Sequence, residues 1–215
     1  MASKKLKLHQ WHVLNAKNNP ETCVLFLPGR DHIGTHMGKV YKQFGLYDHL
    51  LVSITPIRRE WYPMPNGIYD QEAAVMGLEQ ANQVINGVLD KIGDEYGVSR
   101  QNIILCGYSA GGVMAIYVAT HSDECFAGVV SHSGAILEPD ELPPCHCDTP
   151  FLLTHNRDDS IFEWYERYLP MKEALKQMGY TVFTQERPDG GHVIDEVDVT
   201  RAAHFMKACF KRIGY

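Results

Sequence analysis

No run of this 215-residue sequence approaches the ~20 consecutive apolar residues that a membrane-spanning helix requires, so a transmembrane helix is excluded. Positive charge is scarce as well. Lys and Arg number 20 against 26 Asp and Glu, for a net charge of -6. Neutralising a phosphate backbone needs a concentrated basic excess, which argues against a nucleic-acid binder, and the cluster Lys4, Lys5, Lys7 is too short to reverse that. Cysteine is too sparse for a disulfide scaffold, with six residues, and Cys23, Cys106, Cys125 and Cys209 sit in apolar runs where free thiols pack as small hydrophobes. A reducing compartment is expected. His9, Gln10 and His12 interrupt anything resembling an apolar signal region, so the expected location is the cytoplasm. The sequence contains neither a Gly-x-x-x-x-Gly-Lys-Ser/Thr phosphate loop nor a Gly-x-Gly-x-x-Gly dinucleotide fingerprint. Cys145-His146-Cys147 groups three metal-ligand types, but adjacent residues cannot easily all reach one tetrahedral ion, and no second pair stands at zinc-site spacing. No metal and no cofactor are expected.

What is present reads as one α/β domain over residues 1–215, without internal repeat or linker. Short apolar runs at 6–14, 22–27, 50–57, 102–106, 126–131, 151–154 and 181–185 read as strands. Helices are expected between the later ones. In 70–96, Leu78, Ala81, Ile85, Val88 and Ile92 recur every three or four residues, and 113–120, 162–178 and 196–212 follow as further helices. This alternation predicts a mostly parallel sheet with helices on both faces, with chemistry gathered beyond the carboxyl ends of the strands. Residues 58–68 and 138–150 read as long loops leaving strand ends, and with the start of the helix near Phe162 they are expected to wall a cleft.

The sharpest local signal is Gly107-Tyr108-Ser109-Ala110-Gly111-Gly112, a Gly-x-Ser-x-Gly turn between a strand and a helix. A serine on so tight a turn needs small neighbours, and the turn would expose its hydroxyl at a helix N-terminus as a nucleophile. The plainer alternative is a glycine-rich turn holding an ordinary serine. A nucleophilic serine needs a base and an orienting acid, in the chain order Ser, Asp, His on this fold. His192, in the Gly-rich loop after the last strand, is the candidate base; His204 reads as helical, and His9, His12, His49 and His121 as ordinary residues. Asp158 and Asp159 compete for the acid role, with Asp159 favoured, and either could instead cap the following helix. The Leu27-Pro28-Gly29-Arg30 turn would supply one backbone donor to an oxyanion, at or near Arg30, and Ala110 the other. Trp61, Tyr62 and Trp164 are candidates for the substrate pocket, Trp164 equally for the core.

Taken in order, the Leu-Pro-Gly loop, Gly-Tyr-Ser-Ala-Gly-Gly, 155–159 and Gly-Gly-His resemble the phospholipase/carboxylesterase family of α/β-hydrolases, which includes the acyl-protein thioesterases. The resemblance covers about 23–210. It implies the α/β-hydrolase fold without a separate cap domain and a small-molecule acyl ester or thioester substrate, is compatible with a homodimer, and places the acid at Asp159, counting from His155 as in the family's His-Gly-x-x-Asp. Ser131-His132-Ser133-Gly134 resembles the family's Ser-Gly turn, and 61–63 its aromatic loop. Two positions depart. Pro28-Gly29 stands for the usual His-Gly, and Ala110 for the thioesterases' Gln, but a backbone donor survives either change. The activity implied is ester hydrolysis through an acyl-enzyme. Other chemistries of the scaffold, peptidase, carbon-carbon hydrolase or lyase, and a non-catalytic binding role are the alternatives.

Overall fold

The computed structural model describes residues 10–15, 19–43, 45–63 and 71–215. Strands form where the sequence is continuously apolar. β2 (Cys23–Leu27), β3 (Leu50–Thr55), β4 (Ile103–Tyr108), β5 (Gly128–His132) and β6 (Pro150–Asn156) are almost wholly buried. The outer strands, β1 (Gln10–Asn15) and β7 (Thr181–Arg187), are mixed in exposure. All seven join one sheet in the order β1-β3-β2-β4-β5-β6-β7, parallel except where β1 runs against β3.

A strand buried on both faces needs two cores, because successive side chains point to opposite sides. In β2, Cys23, Leu25 and Leu27 enter a core completed by α2 (Gln71–Tyr96), α3 (Ala110–Thr120) and α4 (Leu169–Gln177). Val24 and Phe26 enter the other, which holds Met37 and Tyr41 of α1 (Thr35–Gln43) and Val199, Ala202 and Met206 of α5 (Glu196–Arg212). The stripe on α2 is buried as its spacing predicts, from Ala74 through Leu78, Ile85 and Ile92. That helix stops at Gly97, whose φ of 72° lets its amide return to the Gly93 carbonyl at 2.9 Å.

Two elements differ from the sequence reading. Helix α1 was not expected, because only Met37 and Tyr41 carry its apolar face and Gly38 sits between them. The helix expected over 162–178 opens instead as a π-helical turn, Trp164–Tyr168, before α4 begins. Pro170 explains the change: without an N–H it cannot continue an ordinary helical ladder, and the turn ahead of it widens so that the Tyr168 amide reaches back five residues to Glu163. Residues 6–9 of the first expected strand and 64–68 of the first expected loop lie outside the described residues. No described helix is long and apolar enough to cross a membrane.

The end of β5 carries a buried polar group with a measurable consequence. His132 is fully buried, with Tyr41 Oη on Nε2 and Thr154 Oγ1 at 2.7 Å from Nδ1. Burial pushes its pKa down from 6.5 to about 3. The unfolded chain therefore binds a proton that the folded chain refuses. The stability contributed by this depressed pKa is full above pH 6.5 and falls as pH drops toward 3, by about 1.4 kcal/mol per unit. The lowered carboxylates Asp159 and Glu186 titrate below that upper window. Urea midpoints taken between pH 7.5 and 5.0 should fall more steeply in wild type than in His132→Gln; parallel profiles would contradict this assignment.

Candidate active site

The site begins with a backbone that only certain residues tolerate. Ser109 follows β4 at φ 54°, ψ -123°, a strained turn between the strand and α3. Its amide donates to the His132 carbonyl at 2.8 Å, and its carbonyl accepts from Val113 at 3.0 Å, so both sides of the turn are tied. The flanking glycines are required by contact. A Cβ on Gly107 would lie 2.0 Å from the Gly111 carbonyl oxygen, and one on Gly111 would lie 2.0 Å from that of Leu27. On Gly112 it would meet Ser131 Oγ at 2.7 Å, which is how the Ser131 to Gly134 turn packs against the start of α3.

The three side chains singled out from the sequence meet beyond the strand ends. His192 Nε2 lies 2.8 Å from Ser109 Oγ, and His192 Nδ1 lies 2.7 Å from Asp159 Oδ2. The Asp159 side chain is fully buried, yet it is held ionised. Burial pushes its pKa up, but hydrogen bonds from His192 and from the Phe162 and Ile161 amides outweigh that and leave it below the ordinary value. Its two oxygens divide the work. Oδ1 accepts the Ile161 and Phe162 amides at 2.8 and 3.0 Å, and Oδ2 faces the imidazole. The competition between an acid role and a turn-capping role thus ends with one carboxylate filling both positions.

Asp158 has a different place. Its carboxylate accepts the amides of Gly191 at 2.8 Å and Gly190 at 3.2 Å, and these bonds, the first above all, hold its pKa low. It anchors the loop that carries His192. Two more residues, unmarked in the sequence reading, do the same: Asn156 Nδ2 donates to the Gly191 carbonyl at 2.8 Å, and Tyr108 Oη donates to the His192 carbonyl at 2.7 Å. Beneath Asp159, buried His155 donates from Nε2 to the Phe162 carbonyl at 2.8 Å and stacks on Tyr168 at 4.5 Å between ring centres. Burial, only partly offset by nearby Asp159, lowers its pKa and keeps it neutral.

The turn after β2, which carries Arg30, is equally close. A Cβ placed on Gly29 would lie 3.2 Å from Ser109 Cβ and 3.0 Å from the Tyr108 ring, so the turn after β2 presses against the turn that bears Ser109. Ala110 heads α3 and has no preceding helical carbonyl to bond. The amides of Arg30 and Ala110 have no hydrogen-bond partner among the described residues, and both residues line the cleft over Ser109.

That cleft has a volume of about 470 Å³. Tyr62 lines it, as expected. Trp61 and Trp164 do not, which corrects their reading as pocket residues. Trp61 turns inward, 5% exposed, and its indole N–H donates to the Pro28 carbonyl at 2.7 Å, bracing the turn that bears Arg30. Trp164 is buried against Tyr168, 4.5 Å between ring centres, with the Arg157 guanidinium 5.0 Å from its own. Residues 138–150 also leave the cleft wall, contributing no lining residue. They run along the far end of α4, where Tyr180 Oη donates to the Pro143 carbonyl and the Cys145 amide to Met178. Phe162 lines it as expected, and the residues that the sequence reading missed in the wall are His32, Leu137, Ile161 and Arg167. Among the described residues, no group of three or more His, Cys, Asp or Glu is arranged to hold a metal ion.

Comparison with known proteins shows the family. A model of the Phospholipase/Carboxylesterase family matches residues 53–210. Among curated relatives, acyl-protein thioesterase 1 homolog 2 of Dictyostelium discoideum is 26% identical over 108 residues, covering 49% of this chain and 48% of that protein. The chain spans about half the length of the curated relatives it matches. Among solved structures, esterase PE8 superposes with a TM-score of 0.83 at 21% identity, over 94% of this chain and 99% of that one. The Bacillus cereus carboxylesterase gives 0.80 at 18% identity, over 95% and 96%. These likenesses are of fold. The family match runs from within β3 to the last turns of α5 and takes in Ser109, Asp159 and His192. The chain belongs to the phospholipase/carboxylesterase family of α/β-hydrolases.

Proposed function

We propose that the protein hydrolyses carboxylic esters, thioesters included, through an acyl-enzyme on Ser109. The observation that carries the reading is the unbroken relay from Ser109 Oγ through His192 to Asp159, with links of 2.8 and 2.7 Å. In the first half, Ser109 Oγ attacks the carbonyl carbon while His192 Nε2 takes its proton. The carbonyl π pair moves onto oxygen, where the Ala110 and Arg30 amides receive it. Collapse breaks the bond to the leaving oxygen or sulfur, which takes the proton back from His192. Water then repeats the sequence: His192 removes its proton, the hydroxide adds to the acyl carbon, and Ser109 leaves as the alcohol. Asp159 stays ionised throughout, fixing the ring with Nδ1–H toward itself and stabilising the imidazolium.

The supporting physics is pre-organisation. The nucleophile is held by a strained turn, the base by Tyr108, Asn156 and Asp158, and the acid by two amides, so little reorganisation remains for the reacting state. Pre-steady-state hydrolysis of p-nitrophenyl butyrate, with a butyryl thioester run alongside, provides the test. One equivalent of p-nitrophenol per protein released ahead of the steady rate, or an acylated mass trapped at low pH, is expected. Turnover with neither burst nor trapped acyl mass, and with no hydroxamate formed when hydroxylamine is added as an acyl acceptor, would remove the covalent route.

A further inference from the structure

The motif Cys145-His146-Cys147 has no part in the cleft over Ser109, and among the described residues no cluster of side chains is arranged to hold a metal ion there. It lies toward the opposite end of the sheet, in the chain that leads into β6, and a third thiol stands beside it. β5 and β6 are parallel neighbours, with Val129 paired to Phe151 and His132 to Thr154. Carried back along both chains, the same register sets Cys125 opposite Cys147. Adjacent strands run about 4.8 Å apart, inside the window of about 4.4–6.8 Å between Cα atoms that a disulfide spans.

Side-chain contacts hold the two chains together ahead of that ladder. Thr149 Oγ1 accepts the Phe126 amide at 2.9 Å and lies 3.4 Å from Cys147 Sγ. Arg212 ties the same segments from α5, donating from Nη2 to the Ala127 carbonyl at 3.3 Å with Nη1 3.6 Å from the Asp148 carboxylate. The two thiols also act on one another. Burial above all, and then the neighbouring Cys147 thiol, raise the pKa of Cys125, against the Asp148 amide, which donates to the Cys125 sulfur and lowers it. Cys145 is engaged elsewhere: its thiol donates to the Cys147 carbonyl at 3.0 Å and its Cβ faces Gly179. Cys23, Cys106 and Cys209 are buried, whereas Cys125 and Cys147 are only partly so, and an oxidant in solution can reach them.

We infer that Cys125 and Cys147 are a modification site, closing to a reversible intramolecular disulfide when the protein meets a small-molecule disulfide such as oxidised glutathione. The thiolate of one cysteine attacks a sulfur of the oxidant and expels one glutathione thiolate. The second cysteine, as thiolate, then attacks the protein sulfur of the mixed disulfide and expels the other. Two electrons pass from the protein thiols to the oxidant, and their two protons end on two molecules of glutathione. The new bond closes a loop of about 20 residues that contains all of β5 and the Ser131 to Gly134 turn, which restricts the unfolded chain and so stabilises the folded one. In a reducing compartment such a pair stays open and responds only to oxidation.

The test incubates the folded protein with oxidised glutathione at about pH 8.5, where exchange is not limited by scarce thiolate. Peptide mapping without reduction should recover Cys125 joined to Cys147, the intact mass should fall by two hydrogens, and dithiothreitol should restore it. The melting temperature should rise by about 5 °C on oxidation and return on reduction. Cys125→Ser and Cys147→Ser should show no rise, and Cys145→Ser should behave as wild type. No reaction, glutathione adducts alone, a bond that joins Cys145 or two chains, or a bond between Cys125 and Cys147 that leaves the melting temperature unmoved would each overturn the inference. None of these readouts depends on ester hydrolysis.

Discussion

Ser109→Ala should lower kcat/KM for an activated ester by about 10⁶, leaving only what the oxyanion donors and binding provide. Such a loss requires that the fold remain, and the structure gives reasons for it to do so. Alanine meets the same backbone strain at φ 54° that serine does, and the contacts that fix the turn are made by the residue's amide and carbonyl, not by its hydroxyl. The hydroxyl's partner is His192 Nε2, a group only partly buried that water can reach. The melting temperature of the variant should therefore match wild type within a few degrees. A loss smaller than about 10³, in a protein of unchanged melting temperature, would mean that another group performs the attack.

Asp159→Asn should lower kcat/KM by about 10⁴ at neutral pH, and the reason lies in which oxygen is replaced. Two backbone amides, from Ile161 and Phe162, converge on Oδ1 and demand an acceptor there. The carboxamide oxygen must occupy that position, which sends the new NH2 group toward His192 Nδ1. A donor facing Nδ1 forces the imidazole proton onto Nε2, the atom 2.8 Å from the serine hydroxyl, and the ring can no longer accept from it. Asp158→Asn is the control. It weakens the bonds to the Gly190 and Gly191 amides but keeps an acceptor for one of them, so its loss should stay within about tenfold. Equal losses in the two variants, read from kcat/KM with folding checked by circular dichroism, would contradict the division of roles.

The parts of this site that could be read from the sequence are those where backbone geometry limits the choice of residue. Gly107 and Gly111 are small because the next carbonyl stands 2.0 Å from where a Cβ would be, so the Gly-x-Ser-x-Gly spacing records a steric fact. Asp159 and His192 follow strand ends, where side chains of a parallel sheet converge. The cleft walls obey no such rule. Trp61 and Tyr62 are neighbours of similar chemistry, and nothing local sends the first beneath the Pro28-Gly29 turn and the second into the cleft. Trp164 fell to the core because Pro170 opens a π turn, which shifts every side chain ahead of it from ordinary helical register. The anchoring roles of Tyr108, Asn156 and Asp158 are contacts across 32 to 84 residues of sequence, visible only once the sheet is assembled. Helix α1 was lost to the same cause in reverse, since its few apolar residues acquire meaning only against Phe26 and His132.

The most direct measurement is covalent labelling with a fluorophosphonate, which reacts only with a hydroxyl that a neighbouring base has made nucleophilic. Intact-mass spectrometry should record one adduct per chain, peptide mapping should place it on Ser109, and Ser109→Ala should take up none. An unlabelled wild-type protein that still hydrolyses esters, or an adduct on any other residue, would contradict the assignment of Ser109 as the nucleophile.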